Sequence, residues 1–303
     1  MLYSAGTAIW EFRKRKHITQ EELCHGICSV ATLSKIENCT HNPNKSTLDA
    51  LLNRLGMPSC EYNIPVSESE YKRQMLYRKI ADKICHHDYD YSKELDKYEQ
   101  CGKDMSHLEK QFYLYAKANI FRHNARAEKS EVLALMIEAI RLTIPDFDIA
   151  KIPAISLMTQ VESAILDAIA TLLYDTGKTT HAISLLYFLK SFYEKDDIDY
   201  ILKAAHYPSI VYYLSCCVSM VGQYKECLEL VETAIDMCIN TSNYDALPML
   251  LYNKGYALCS LEKCDEGKIY LLQALTILEA TKQEKTASLI KDDLNKTFKL
   301  NLL

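Results

Sequence analysis

Residues 19–37, TQEELCHGICSVATLSKIE, decide the fold of the first part of this chain. Thr19 is a natural N-cap, and Glu22, three residues later, completes a capping box at the start of a short helix. Gly26 interrupts the run of helix-forming residues, and Ser29 is placed to cap a second helix directly after it. Two short helices joined by a glycine-containing turn form a helix-turn-helix unit.

The chain from about Gly6 to Gly56 resembles the XRE/Cro-type helix-turn-helix family of bacterial repressors. The matching positions are Ile9, Phe12, Arg13, Gln20, Leu23, the run Leu33–Asn38, Pro43, Leu48 and Leu51. Between Leu23 and Ile36 the chain is one residue shorter than the common family pattern. This shorter version resembles the PlcR/NprR branch of peptide-sensing regulators. The resemblance implies a domain that binds double-stranded DNA through the second helix of the unit.

Side chains predicted to contact DNA, by resemblance to the family, are Gln20, Ser29, Val30, Ala31, Ser34, Lys35 and Asn38. Gln20 opens a helix from which its amide reaches a phosphate oxygen, and Ser34 and Asn38 are further phosphate contacts. Val30 and Ala31 offer only apolar contact, which suits thymine methyl groups, whereas Lys35 reaches guanine or a phosphate. The competing interpretation is a solvated helix end at Gln20 and packing of Val30 on the turn.

Charge is distributed unevenly along the chain, whose net charge is −5. Residues 1–57 hold seven Lys/Arg and five Asp/Glu, a balance of +2, which leaves −7 for the remainder. The negative net charge argues against a protein that coats nucleic acid, and the distribution indicates a mildly basic head on an acidic body. Within the head, Arg13 and Glu37 are predicted to form an internal ion pair that orients the first and third helices.

Several classes of protein are disfavoured by motifs that the sequence lacks. It contains no glycine-rich phosphate loop, no GxSxG and no HExxH, so we expect no enzyme activity and no cofactor. Twelve cysteines without any CxxC are expected to be reduced, structural side chains, so no metal site is predicted. No apolar run is long enough to span a bilayer, and Glu11 with the basic cluster 13–16 interrupts any signal peptide. A cytoplasmic protein without membrane association is predicted.

Helical periodicity predicts an all-α fold with an N-terminal helix-turn-helix domain at 1–57, a linker at 58–67 and a repeat domain at 68–303. The linker contains Pro58 and Pro65. The head is predicted to hold helices at 4–16, 19–26, 30–38 and 46–55. The body is predicted to hold helices at 68–87, 91–101, 107–124, 128–143, 154–176, 179–194, 198–221, 224–241, 245–261, 265–281 and 284–299.

An internal repeat underlies the helices of the body. Three units place small or apolar residues with gaps of 12 and 7: Ala170/Ala182/Leu189, Ser215/Cys227/Ala234 and Gly255/Gly267/Ala274. Small residues at the first two positions allow two antiparallel helices to approach closely. The pattern resembles the tetratricopeptide repeat and predicts an α-solenoid of about five helical pairs, with a capping helix near 284–299.

Stacked first helices of such repeats line a concave groove. Groove residues are expected one turn away from the packing positions: Asp167, Thr171, Tyr174, Tyr212, Tyr213, Cys216, Tyr252, Asn253 and Tyr256, with Asn119 and Arg122 from a degenerate unit. Asparagine pairs with both N–H and C=O groups of a peptide, and tyrosine offers rigid apolar area. The resemblance to tetratricopeptide repeats favours Asn253, whereas for any single tyrosine the competing interpretation is packing within the repeat.

Head and body together resemble the RRNPP class of quorum-sensing regulators, in which a short imported peptide occupies the repeat groove. The resemblance implies a transcription regulator whose DNA affinity a signalling peptide changes. Because one recognition helix reads only a few base pairs, a homodimer that reads paired DNA half-sites is also predicted. Two alternatives remain open at this stage. The repeats could bind a protein partner instead of a peptide, or the chain could be a Rap-like scaffold that sequesters a response regulator.

Overall fold

The computed structural model describes residues 5–57, 68–86, 88–101, 105–123, 127–195, 198 and 200–300. Fifteen helices and no strand lie within these residues, so the predicted all-α fold is confirmed. The chain forms two compact units, Met1–Leu172 and Leu173–Leu303. The domain division predicted from the sequence lies elsewhere and remains a prediction, and its linker at 58–67 falls outside the described residues.

The head is a small bundle of α1 (Ala5–Arg15), α2 (Gln20–Cys24), α3 (Val30–Glu37) and α4 (Lys45–Arg54). The predicted capping box is confirmed, because the Glu22 backbone N–H donates to Thr19 and the Thr19 backbone N–H donates to the Glu22 carboxylate at 2.7 Å. The Ser29 hydroxyl accepts the Thr32 N–H at 3.1 Å and starts α3. The bundle closes over an aliphatic core of Ile9, Leu23, Leu33, Ile36, Leu48 and Leu51.

The rest of the first unit consists of α5 (Glu68–Cys85), α6 (Ser92–Gln100), α7 (His107–Arg122), α8 (Lys129–Arg141) and most of α9 (Gln160–Asp175). Aromatic side chains dominate the core that α5, α6 and α7 share. Tyr91 and Tyr98 are buried there with Phe112. The Tyr91 hydroxyl donates to the Ala116 carbonyl at 3.0 Å, so this core holds a polar group at little cost.

Helix α9 begins at Gln160, six residues later than the predicted start at 154. The Thr159 hydroxyl accepts the Glu162 N–H at 3.1 Å, and the Glu162 carboxylate accepts the Thr159 N–H at 2.6 Å. This second capping box, together with Pro153 upstream, stops the helix from extending towards the N-terminus. Apolar periodicity continues through residues 155–158 and therefore misplaces the start.

The second unit contains the end of α9 and α10 (Thr179–Tyr193), α11 (Tyr200–Met220), α12 (Tyr224–Thr241), α13 (Leu247–Ser260), α14 (Cys264–Ala280) and α15 (Glu284–Phe298). Helices α13 and α14 cross closely because glycines face each other. A Cβ added at Gly267 would lie 2.7 Å from the Gly255 carbonyl oxygen and 2.7 Å from the Cys259 sulfur. The small positions of the repeat therefore serve the close packing expected of them.

No helix in the described part of the chain is long and apolar enough to cross a membrane. Among the same residues, no group of three or more His, Cys, Asp or Glu side chains is placed to hold a metal ion. The eleven cysteines described are free thiols. Burial raises the pKa of Cys227 and of Cys238 to about 11, which leaves them protonated and poorly nucleophilic at neutral pH.

Candidate nucleic-acid interface and groove residues

A buried ion pair fixes the geometry of the head, as the sequence predicts. The Arg13 guanidinium donates from Nε to Glu37 Oε1 at 2.6 Å and from Nη2 to Glu37 Oε2 at 2.7 Å. A third bond runs from Arg13 Nη1 to the Ile18 carbonyl at 3.0 Å. The hydrogen bond to Glu37 raises the pKa of Arg13, so the pair stays charged. This pair ties α1 to the end of α3 and determines the direction in which α3 points.

Gln20 joins the same network, which the sequence did not reveal. Its amide Nε2 donates to Glu37 Oε2 at 2.7 Å. One of the two N–H groups of this nitrogen is therefore used inside the head, and the other is left for a further acceptor. The phosphate contact by the Gln20 amide stays a prediction.

The outer face of α3 is open, and it carries the residues predicted to meet DNA. Val30, Ala31 and Lys35 are exposed, as is Asn38 directly after the helix, and Ser34 is half-buried. Val30 is 43% exposed, which is high for a valine and disfavours the interpretation that it packs on the turn. Leu33 and Ile36 face the core instead. DNA contacts by these side chains remain predictions.

Ser29 has a structural role besides the predicted one. Its hydroxyl caps α3 through the Thr32 N–H and lies 2.8 Å from the Thr32 hydroxyl. A substitution at Ser29 would therefore weaken the start of α3 as well as any contact with a base.

The first helices of the repeats carry a half-buried stripe at helical spacing. In α9 the stripe includes Asp167 and Tyr174, at positions i and i+7. Helix α11 contributes Tyr212, Tyr213 and Cys216, and α13 contributes Tyr252 and Tyr256. Most of the predicted groove residues thus lie on the less buried face of their helices.

Three predicted groove residues are buried instead: Asn119, Thr171 and Asn253 are each at most 5% exposed. The Asn119 side-chain amide donates to the Tyr115 carbonyl at 3.1 Å, and the Thr171 hydroxyl donates to the Asp167 carbonyl at 2.6 Å. Both side chains satisfy the backbone of their own helix, a local competition that sequence periodicity does not reveal.

Asn253 bridges α13 to α11 within the second unit. Its Nδ2 donates to the Ser215 hydroxyl at 2.7 Å and contacts the Cys216 sulfur at 3.2 Å. Its Oδ1 accepts no hydrogen bond from the residues that the structure describes. Ser215 entered the sequence analysis only as a small packing residue, and its hydroxyl turns out to orient this amide.

Tyrosines gather around the same amide. The rings of Tyr212 and Tyr213 lie 4.8 Å apart, and those of Tyr174 and Tyr213 lie 6.1 Å apart, edge to face. Burial raises the pKa of Tyr174 and of Tyr212, so both phenols are neutral at physiological pH.

Helix α15 adds two side chains that the sequence analysis assigned only to a capping role. The Tyr252 hydroxyl donates to Asp293 Oδ2 at 2.6 Å, and the ring of Tyr256 packs on Phe298 with centroids 4.9 Å apart. The last helix therefore orients the tyrosines of α13 as well as covering the end of the unit.

Asp167 on α9 and Arg122 on α7 are oppositely charged residues of the first unit whose charges influence each other. Asp167 Oδ1 is sealed from solvent and has no hydrogen-bond partner among the described residues. Burial raises the pKa of Asp167 to about 6, and the Arg122 charge on α7 partly opposes this shift. An incompletely compensated carboxyl group of this kind gains from any cation or donor that reaches it.

Comparisons with known proteins agree with this architecture. The helix-turn-helix family model HTH_3 matches residues 11–62. No curated protein matches the chain in sequence. Bacillus thuringiensis PlcR, solved in complex with the peptide PapR7 and DNA, aligns over 94% of this chain and 98% of its own, with a TM-score of 0.54 and 15% identity. Apo PlcR aligns over 94% and 97%, with a TM-score of 0.53 and 13% identity.

Likeness at this level of identity establishes the fold. The match to the helix-turn-helix family model confirms the predicted helix-turn-helix for residues 11–62. The chain shares the fold of PlcR, with a helix-turn-helix head followed by tetratricopeptide-like helical pairs.

Proposed function

We propose that this protein is a sequence-specific transcription regulator that binds double-stranded DNA through α3 under the control of a short signalling peptide. The observation that carries the proposal is the presence, in one chain, of an open helix-turn-helix face and of repeat helices with tyrosine-lined stripes. PlcR, a protein with the same fold, was crystallised with a peptide and DNA.

The head has the chemistry that DNA reading requires. Val30 and Ala31 present methyl groups, and Lys35 presents an ammonium group that forms no ion pair with the described residues. Apolar groups discriminate thymine by its methyl group, and a lysine discriminates guanine by its two acceptors. Ser34, Asn38 and the second N–H of the Gln20 amide are the expected donors to phosphate oxygens, contacts that fix register without reading sequence.

The repeat helices have the chemistry that holds an extended peptide. Such a peptide leaves its backbone N–H and C=O groups unpaired, and these must be satisfied where the protein excludes water. Asn253 Oδ1 can accept a peptide N–H while Nδ2 stays bonded to Ser215. Tyr212, Tyr213 and Tyr256 offer flat apolar surface with a polar tip, which suits alternating peptide side chains.

The proposed regulator acts as a cytoplasmic homodimer and performs no catalysis. A single recognition helix reads only a few base pairs, so two heads on paired half-sites are needed for specificity. Peptide then acts by binding two conformations of the repeats unequally, since a ligand of equal affinity for both would regulate nothing.

The test begins with the peptide. Protein purified from its native cell is denatured, and small peptides released from it are identified by mass spectrometry. A synthetic copy, or a peptide library, is then titrated by calorimetry into wild-type protein and into Asn253→Ala. We expect Asn253→Ala to weaken peptide binding at least about tenfold, about 1.4 kcal/mol.

Asn243→Ala is the matched control. Its amide donates to the Ala204 carbonyl at 3.0 Å in the second unit, but it lies outside the stripes. Peptide affinity should be unchanged in this control. A library without any binder would favour a protein partner for the repeats, and unchanged affinity in Asn253→Ala would remove that residue from the site.

A further inference from the structure

The turn between α2 and α3 is held by other elements of the first unit. Gly26 has a φ of +68°, and a Cβ placed on it would lie 1.8 Å from the Thr143 carbonyl oxygen. The imidazole Nε2 of His107, at the start of α7, lies 2.8 Å from the Gly26 carbonyl oxygen. The turn therefore packs directly on the segment that follows α8 and on the first residue of α7.

Arg54 locks the same turn to α9. Its Nη1 donates to the Leu23 carbonyl at 3.1 Å and also to the His25 carbonyl, both of which lie at the C-terminal end of α2. Its Nη2 donates to Glu162 Oε1 at 2.9 Å. The two side chains are 2% and 0% exposed, so the ion pair is fully withdrawn from water.

Glu162 is itself held in place by the N-terminus of α9. Its second carboxylate oxygen accepts the Thr159 N–H at 2.6 Å, as part of the capping box that starts the helix. Leu157, just before α9, and Leu108, at the start of α7, pack against the core of the head. We call His107, Thr143 and Glu162 the turn seat.

A buried ion pair is a costly way to stabilise a protein, because desolvation offsets most of its attraction. Such a pair instead holds its two side chains in one relative position. Arginine does this well because its planar guanidinium donates hydrogen bonds in fixed directions. Here the fork joins the last carbonyls of α2 to the first turn of α9, and α3 begins at Val30, only five residues after His25. The position of α3 is thus linked to the position of α9.

We infer that Arg54 and Glu162 are positioning residues for DNA recognition, because they lock the helix-turn-helix turn, and with it α3, onto α9. This inference rests on the proposed function. Helices α7 and α9, which hold the turn at their N-terminal ends, also carry Arg122 and Asp167 further along. A ligand that moves these helices therefore moves the DNA-reading helix.

The experiment compares Glu162→Gln with Glu94→Gln. The control removes the charge from another ion pair of the first unit, Lys79–Glu94 at 2.8 Å, which joins α5 to α6 and involves neither α7 nor α9, the helices that hold the turn. The probes are a duplex that the wild-type protein enriches from a random-sequence library and a random-sequence duplex. Affinity for each is measured by fluorescence anisotropy at one salt concentration, after circular dichroism confirms the fold.

We expect Glu162→Gln to bind the enriched duplex at least about tenfold more weakly, equivalent to about 1.4 kcal/mol. Binding to the random duplex should change by less than about twofold, because non-specific affinity depends on phosphate charge and not on the placement of α3. Amide exchange should accelerate at Ile27 and Cys28, whose N–H groups donate to the Cys24 carbonyl. Glu94→Gln should behave like wild type in all three measurements.

Arg54→Lys provides a second variant, since lysine keeps the charge but cannot bond both carbonyls and the carboxylate at once. It is used in place of Glu162→Gln if the latter does not fold, with the same expectation. Equal loss on both duplexes, or unchanged affinity for the enriched one, would overturn the inference and leave the proposed function standing. If wild-type protein enriches no sequence, the proposed function fails and the inference fails with it.

Discussion

At the scale of single residues, one buried carboxylate organises the DNA-binding head. Glu37 accepts from Arg13 and from Gln20, and thereby fixes the relative placement of α1, α2 and α3. The opposite charges at 13 and 37 were enough to predict the ion pair. The third partner could not be predicted, because glutamine at a helix start suits solvent, phosphate or a buried acceptor equally well.

Lys35 and Gln20 should affect DNA binding in different ways. We expect Lys35→Ala to reduce discrimination between the enriched duplex and its scrambled version by about 1–3 kcal/mol, the range of a good base contact. Gln20→Ala should weaken binding to both duplexes alike, as loss of a phosphate contact does. Ser29→Ala also changes preference in this account, but its lost cap costs about 1 kcal/mol of helix stability.

Fluorescence titration on the two duplexes measures both effects, and His41→Ala, an exposed position outside the predicted contact set, serves as the control. A Lys35→Ala variant that discriminates as well as wild type would place sequence reading elsewhere. Equal affinity of the wild-type protein for both duplexes would contradict sequence-specific binding altogether.

Asp167 should make stability depend on pH. Burial raises its pKa from 3.8 to about 6, although Arg122 on α7 opposes the shift. An acid with a raised folded-state pKa contributes stability that is complete below its unfolded pKa and lost as pH rises through about 6. The neighbouring groups on α7 are Arg122 and Tyr115.

Asp167→Asn should therefore match wild type in urea unfolding only near pH 3, below the unfolded pKa, and should become increasingly more stable than wild type as pH rises to 8, where the wild-type carboxyl group is ionised. Asp175→Asn, at an exposed position of the same helix, is the control and should show no such growing difference. A difference between Asp167→Asn and wild type that stays constant with pH would mean that Asp167 keeps an ordinary pKa.

At the scale of elements, local sequence determines most of the structure. Every predicted helix is present, because capping residues, apolar periodicity and scarce glycines agree with one another. The start of α9 was misplaced because Thr159 and Glu162 cap it inside a longer apolar run. The turn seat and the Arg54–Glu162 pair could not be predicted, since residues 108 positions apart show no local pattern.

The crossing of α13 and α14 should be intolerant of added volume. In Gly267→Ala the new methyl group would meet the Cys259 sulfur and the Gly255 carbonyl oxygen, each at 2.7 Å. Overpacking costs about 1–3 kcal/mol, and the better helix propensity of alanine returns about 1 kcal/mol. We therefore expect a net decrease in the free energy of unfolding, measured in urea.

Gln273→Ala, on the exposed face of α14, is the control and should change the free energy of unfolding by less than about 0.5 kcal/mol. A Gly267→Ala variant as stable as this control would contradict tight packing at the crossing.

At the scale of the whole molecule, DNA reading should require two copies of the chain. Paired half-sites about one helical turn apart give a two-fold protein the specificity that one recognition helix lacks. Light scattering at micromolar concentration should therefore give twice the chain mass of 34.7 kDa. A clean monomer, with and without the enriched duplex, would contradict this assembly.

Regulation by the proposed peptide also involves the whole molecule. A peptide bound to the repeat helices can change DNA affinity only if it changes the geometry of the two heads. The most direct test is a fluorescence titration of the enriched duplex by wild-type protein, with and without saturating peptide. The account predicts at least about a tenfold change in affinity, about 1.4 kcal/mol, for the enriched duplex and none for a random duplex. Identical affinity with and without a peptide that calorimetry shows to be bound would contradict it.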